Sequence, residues 1–458
     1  MTMSPEVLHA TGNHYFHIPA MPNLEKSGFL SQRGGKRIVI TGMSVISTLG
    51  DTLETFHSSL LQGKSGITCW KNPLYPGSCS RSGGDLSEYD IDEKMSCLRG
   101  RITAEVFRRM RRLVANSPRT AGISMLIAVE AFADAGLFDV ETDPERISTL
   151  LAGHYLYELY KLENWRAFTS DPDEIDVSLA LKEMDTDALG CITEVLGSTG
   201  PGFSTGGACA AGNIALRAAV DEIRHHDSDV ALVVSSFHEL TPASLHSLVM
   251  LGALSPGTYD EEPDRASRPF DAGRNGFVPA TGAAALVIEG LDHAVRRGAR
   301  IYSEILGVGI NSNGSRNPTP MEERMARVME LALREAGVDG SEIDYISAHA
   351  TSTQLGDITE ARAIRRVFGD HAGVLRVNAL KSMLGHQLGA SALVEIVASV
   401  LQMRAGVLYP TINIDRLDPG IDLDVCANRG VEYRTGCMMK NAFGFGGVNT
   451  ACVLKRYE

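Results

Sequence analysis

Ser204-Thr205-Gly206-Gly207-Ala208-Cys209-Ala210-Ala211-Gly212 is a run of small residues that opens directly into Asn213-Ile214-Ala215-Leu216-Arg217-Ala218-Ala219-Val220. The second stretch reads as a helix, and the first as the turn that starts it. Cys209 is therefore expected at a helix's first turn, where unpaired backbone N–H groups and the helix dipole favour thiolate over thiol. A buried cysteine acting as a small apolar side chain fits the same position.

Working outward, the helix has a counterpart. Leu388-Gly389-Ala390-Ser391-Ala392-Leu393-Val394-Glu395-Ile396-Val397 also follows a loop of chemically capable residues and opens with small side chains. Small residues let two such helices pack closely against each other or against a sheet. A second recurrence supports the first. Ser124 to Ala135 has helical spacing and stops at Gly136, before a strand at Ile147–Gly153; Met325 to Ala336 stops at Gly337, before a strand at Ile343–Ala348. Arg37-Ile38-Val39-Ile40-Thr41-Gly42-Met43 reads as the first core strand. The expectation is an N-terminal extension over 1–35 and two similar α/β halves over 36–297 and 298–458, their sheets stacked around the paired helices.

The composition is that of an ordinary enzyme large enough to bury a substantial core. A net charge of −13, spread along the chain, argues against general nucleic-acid or membrane-surface binding. The densest basic cluster is Arg99, Arg101, Arg108, Arg109, Arg111 and Arg112, which reads either as a docking face for an acidic partner or as an ordinary solvated or dimer-contact helix. The eight cysteines show neither C-x-x-C pairs nor zinc-like spacing, so reduced thiols in a cytoplasm are expected. The first 35 residues have no signal-peptide pattern, and no segment reads as membrane-spanning.

The chemistry gathers in the second half. Ser347-Ala348-His349-Ala350-Thr351-Ser352-Thr353-Gln354-Leu355-Gly356-Asp357 puts a histidine at the end of a predicted strand, where ligands meet α/β folds. Lys381-Ser382-Met383-Leu384-Gly385-His386 places a second histidine just before the small-residue helix. Each alone reads more readily as a hydrogen-bonded structural histidine than as a catalytic one. A cysteine and two histidines, each at the mouth of an α/β element, favour catalysis.

These segments, with Asn441-Ala442-Phe443-Gly444-Phe445-Gly446-Gly447-Val448-Asn449, Arg268-Pro269-Phe270-Asp271-x-x-Arg274-Asn275-Gly276-Phe277-Val278 and Tyr409-Pro410-Thr411-Ile412-Asn413, resemble the β-ketoacyl-acyl-carrier-protein synthases. The likeness is to the synthase II type and to polyketide ketosynthases, in order and spacing, from Lys36 onward. It implies a thiolase-type α/β fold with duplicated αβα halves in a five-layer αβαβα sandwich, usually dimeric, and a decarboxylative Claisen condensation on acyl carrier protein thioesters.

The resemblance also implies roles. Cys209 would carry the acyl chain as a thioester, and backbone N–H groups of Cys209 and Phe445 would form the oxyanion hole. His349 and His386 would stabilise the enolate left when the malonyl group loses carbon dioxide, without metal or organic cofactor. Lys381 and Glu360 match a supporting ion pair. Thr351 and Thr353 match positions that contact the phosphopantetheine arm, and Phe443 and Phe445 a glycine-rich gate over the acyl pocket. The partner would be an acyl carrier protein bearing acyl and malonyl groups, with a homodimer expected and a heterodimer with a ketosynthase-like subunit an alternative.

Departures from the family pattern are Gly207 for threonine, Ala280-Thr281-Gly282 for Gly-Glu-Gly, Ala350 for glycine, and Ser391-Ala392 for Ala-Gly. They point to a specialised branch in polyketide or fatty-acid synthesis. Two further readings stand beside condensation: a malonyl-carrier decarboxylase of the β-branching kind, whose members tend to replace the cysteine, and a non-condensing chain-length partner.

Overall fold

The computed structural model describes residues 35–71 and 80–458. The extension expected over 1–35 lies, Gly35 aside, outside the described residues.

Three runs read as strands in the sequence, at 37–43, 147–153 and 343–348, are buried strands of a ten-stranded mixed sheet whose strands divide between two halves. In the first half these are β1 (Ile38–Ser47), β2 (Ile147–Ala152), β3 (Gly202–Thr205), β4 (Val230–Ser235) and β5 (Gly282–Gly290). In the second they are β6 (Ser303–Ser312), β7 (Tyr345–Ser347), β8 (Arg376–Asn378), β9 (Cys437–Gly444) and β10 (Val448–Arg456). Their order is β8-β7-β9-β10-β6-β1-β5-β4-β2-β3. Read outward from the β6/β1 junction, each half runs first strand, fifth, fourth, second, third. The pairing repeats as well: first to fifth and fifth to fourth are antiparallel, and the two outer pairings are parallel. The two sheets are thus not merely stacked. A short antiparallel ladder, Ile38–Ile40 against Ile305–Ser303, joins them edge to edge.

The layers follow from strand alternation. Along β4, Ala231 and Val233 point into the central core, whereas Leu232 and Val234 point to an outer one. The central core holds α4 (Ala211–His225) and α7 (Ser391–Ala405) between the halves. Outside the first half lie α2 (Arg119–Asp134) and α3 (Asp185–Leu196), with the arginine-rich α1 (Ala104–Val114) beyond them. Outside the second lie α5 (Glu322–Ala336) and α6 (Gln354–Phe368). The result is a five-layer αβαβα sandwich of duplicated halves.

Two local points differ from the sequence reading. β1 does not end at Met43 but continues to Ser47, and Gly42 lies mid-strand where α2 packs closely: a Cβ there would sit 2.3 Å from the Ala131 carbonyl oxygen. Leu388–Ala405 has the length and apolarity of a membrane span, which the sequence reading did not register. It is mostly buried, as the core helix between the two sheets.

Candidate active site

β3 leads into a turn at Gly206-Gly207, a 3-10 turn over Ala208–Ala210, and then α4. Cys209 therefore sits ahead of the α-helix rather than in its first turn. Gly207 has φ +147 and Ala208 φ +47. This strained elbow turns the cysteine toward the site. A Cβ on Gly207 would meet Ile214 Cδ1 at 2.3 Å, so glycine in place of the family's threonine suits the backbone observed here. The second half repeats the device. Leu388 has φ +51, a 3-10 turn spans Leu388–Ala390, and α7 follows.

Cys209 is 8% exposed. Burial pushes its thiol up to about 11, against the lowering influence of Lys381 and of backbone N–H groups of Phe445 and Cys209 that bond to the sulfur. Against the expectation of a helix-stabilised thiolate, desolvation outweighs the local dipoles and favours the thiol. A histidine adjoins the sulfur. His386 Nε2 lies 3.0 Å from Cys209 Sγ, and its Nδ1 lies 2.8 Å from Ser391 Oγ.

His349 stands at the end of β7, its ring 5.6 Å from that of His386 and almost perpendicular to it. Phe443 packs edge-on against His349, and Phe277 against His386. Burial holds both imidazoles well below the usual histidine range, and the charges of Lys381 and Lys440 push in the same direction. Both are neutral near pH 7.

The expected Lys381–Glu360 ion pair is not formed. Lys381 Nζ pairs at 2.7 Å with Glu395, whose other oxygen pairs at 2.7 Å with Lys440 Nζ, and all three side chains are buried. Burial lowers the Lys381 ammonium, opposed chiefly by Glu395. Glu360, from α6, instead accepts the backbone N–H groups of His349 at 2.9 Å and Ala350 at 2.7 Å, and Asn441 Nδ2 at 3.1 Å. It fixes the loop that carries the first histidine. The physical reason is the shared carboxylate between two buried ammonium groups, which leaves Glu360 free for neutral donors.

The expected site residues otherwise converge. Thr351 and Thr353 place their hydroxyls 3.2 Å apart on the wall of a cavity of about 330 Å³ that also exposes Cys209, His349, His386 and Phe443. A second cavity of about 120 Å³ extends beyond Cys209, lined by His154, Leu156, His238, Leu248 and Gly389 among others. Phe445, 42% exposed, borders both. Met250 and Leu384 line neither cavity.

The remaining departures are accommodated. Ala350 needs no positive φ, the positive value falling instead at Ser352. Thr281 Oγ1 donates to the Gly84 carbonyl and accepts from Leu86 N, neutral bonds where the family has a carboxylate. Sequence reasoning did not single out Glu395, Lys440 or Phe277. A signal existed for the first two: each is a lone charge inside an otherwise apolar helix or strand, which a folded chain must pair.

Residues 35–294 match the profile of the beta-ketoacyl synthase N-terminal domain, and residues 302–415 that of the C-terminal domain. The chain belongs to the beta-ketoacyl synthase family. It is a ketosynthase of the type II fatty-acid or polyketide kind, an acyltransferase. It is 35% identical over 430 residues to 3-oxoacyl-[acyl-carrier-protein] synthase 2 of Coxiella burnetii (strain RSA 493 / Nine Mile phase I), covering 92% of this chain and 99% of the relative. It is 31% identical over 422 residues to the polyketide biosynthesis malonyl-ACP decarboxylase PksF of Bacillus subtilis (strain 168), covering 92% and 97%. Among solved structures it resembles a type II PKS acyl-carrier protein in complex with its ketosynthase bound to the hexaketide (AntDE:AntF). That match has TM-score 0.81 and 29% identity, and covers 93% of this chain and all of the other.

Proposed function

We propose that this ketosynthase performs the complete decarboxylative condensation, extending an acyl chain with a malonyl unit delivered on an acyl carrier protein. The observation that carries the reading is the intact nucleophile in contact with its histidine, Cys209 Sγ to His386 Nε2 at 3.0 Å. In the acyl-transfer half, His386 takes the thiol proton as Cys209 attacks the carrier-bound thioester. The backbone N–H groups of Cys209 and Phe445 stabilise the oxyanion, and the carrier's pantetheine thiol leaves. In the second half the malonyl thioester loses carbon dioxide, and His349 and His386, neutral and donating N–H, stabilise the enolate oxygen. The enolate carbon then attacks the Cys209 thioester, releasing the free cysteine and a chain longer by two carbons.

On this reading Thr351 and Thr353 hold the phosphopantetheine arm, while Lys381 and Glu360 support the two histidine loops. Phe443 and Phe445 gate the cavity beyond Cys209. The halves divide as 36–297 and 298–458, and no metal or organic cofactor takes part. For carrier docking, Arg101, Arg109 and Arg112 are engaged with Glu130, Glu105 and Glu194. Arg108 and Arg111 remain as exposed cations on α1 for an acidic carrier. A second copy would pair along β3, the terminal strand of the sheet, whose Phe203 is exposed. A cytoplasmic setting fits the substrate.

The decarboxylase named among the relatives supplies the second reading, in which the histidines act without acyl transfer. Mass spectrometry after incubation with acyl- and malonyl-carrier proteins separates the two. Condensation gives acyl-Cys209 and a product two carbons longer; an acetyl-carrier product without acyl-enzyme refutes it. Product formed only after a ketosynthase-like second subunit is added would make the enzyme a heterodimer.

A further inference from the structure

His386 has two ring nitrogens, and the condensation scheme uses only Nε2. The other, Nδ1, faces the Ser391 hydroxyl at 2.8 Å. Ser391 is almost wholly buried and is the first residue of α7, a helix with no side-chain hydrogen bond at its cap. The hydroxyl bonds to the ring rather than to a backbone group of the helix. The duplication sharpens the point. The residue in the same place in the first half, at the start of α4, is Ala211. The fold accepts alanine there, and the half that carries the histidine has a hydroxyl.

We infer that Ser391 is a positioning residue for His386, its hydroxyl holding the ring toward Cys209 in either neutral tautomer. This rests on reading Cys209 and His386 as a working pair. A hydroxyl both donates and accepts, and it changes role by rotating one hydrogen. During acyl transfer the Cys209 S–H proton moves to Nε2 while Nδ1–H donates to Ser391 Oγ. The new S–C bond forms, the bond from the carbonyl carbon to the pantetheine sulfur breaks, and Nε2–H returns its proton to that departing sulfur. During decarboxylation Nε2–H must instead donate to the enolate oxygen, so Nδ1 of the neutral ring accepts from Ser391 O–H. Exchange of the ring proton with water between the two halves interchanges the tautomers, with no movement of heavy atoms.

The surroundings explain why an uncharged partner suits Nδ1. Facing or acting on the ring are Cys209, His349, the apolar Phe277, and the ammonium groups of Lys381 and Lys440 that share Glu395. Both ammonium groups disfavour an imidazolium. The ring is therefore suited to passing a proton on quickly, and a carboxylate at Nδ1 would hold it in the charged form.

The test uses full-length Ser391→Ala and Ser391→Thr. Alkylation by iodoacetamide is followed at the Cys209-containing peptide by mass spectrometry between about pH 6 and pH 10, which requires no carrier substrate. In Ser391→Ala the rate near neutral pH is expected to fall about tenfold, as for loss of one hydrogen bond to a ring that becomes charged, and the profile to move to higher pH. Ser391→Thr should restore most of both. Superimposable pH profiles for Ser391→Ala and the unchanged protein overturn the inference. Failure of the unchanged protein to accept an acyl group, with the alkylation profiles still differing, would refute the condensation reading and leave the Ser391 assignment standing.

Discussion

Neutral histidines in a buried site tie this enzyme's stability to acidity. His349 and His386 titrate well below 6.5 when folded and near 6.5 when unfolded. As pH falls below 6.5 the unfolded chain binds protons that the folded chain refuses, so these residues lower stability until pH reaches their folded values. His386→Gln removes one such site. Its stability, followed by urea unfolding between about pH 6.5 and 5, should fall less steeply than that of the parent, by up to about 1.4 kcal/mol per pH unit. Equal slopes would mean that His386 takes up a proton in the folded state. The carboxylate between two ammonium groups gives a second expectation. Glu395→Gln leaves Lys381 and Lys440 buried without a countercharge and should destabilise the protein by about 3–5 kcal/mol in the same assay. A loss below about 1 kcal/mol would show that water reaches the pair. Lys381, His349 and His386 were legible in the sequence because each stood in a recognisable loop. Glu395 was less visible, since its neighbours Val394 and Ile396 read as plain core helix and its partners lie on other elements, Lys381 on the short helical turn before α7 and Lys440 on β9.

Elbows, at the scale of the element, place Cys209 through strained backbone at Gly207 and Ala208. The sequence reading put Cys209 at the start of a helix, and its helix does follow, but only after a 3-10 turn entered through positive φ at Gly207 and Ala208. Such dihedrals leave little trace in a small-residue run, because Gly and Ala fit both the regular and the strained path. The distinction matters chemically: ahead of the helix and buried, the Cys209 thiol is pushed up rather than down, and it faces His386. Gly207→Ala should cost about 1–3 kcal/mol through strain and the contact with Ile214, and slow Cys209 acylation more than the global stability loss explains. Thermal unfolding and single-turnover acylation together check this. Unchanged acylation would mean that the elbow tolerates a regular path.

Duplication was the whole-molecule feature most open to the sequence, through Gly136 and Gly337 closing equivalent helices and small residues opening α4 and α7. The order of strands within each half was not, because long-range pairing such as β5 between β1 and β4 is set by the shared core rather than by any local run. At this scale the surface charge also becomes testable. Arg108→Glu with Arg111→Glu should raise KM for the carrier-borne substrate about tenfold at low salt and leave kcat and turnover of a small pantetheine thioester unaltered. The difference should shrink as salt is added. An equal loss with the small thioester would place these arginines in folding rather than docking.

The twin elbow has a consequence for how much room lies beyond the nucleophile. Where the first elbow carries Cys209, the second carries Gly389, and Gly389 forms part of the wall of the smaller cavity. A methyl group there would meet nothing closer than 3.7 Å. Larger side chains at this second turn would therefore shorten the smaller cavity while leaving Cys209 and the two histidines in place.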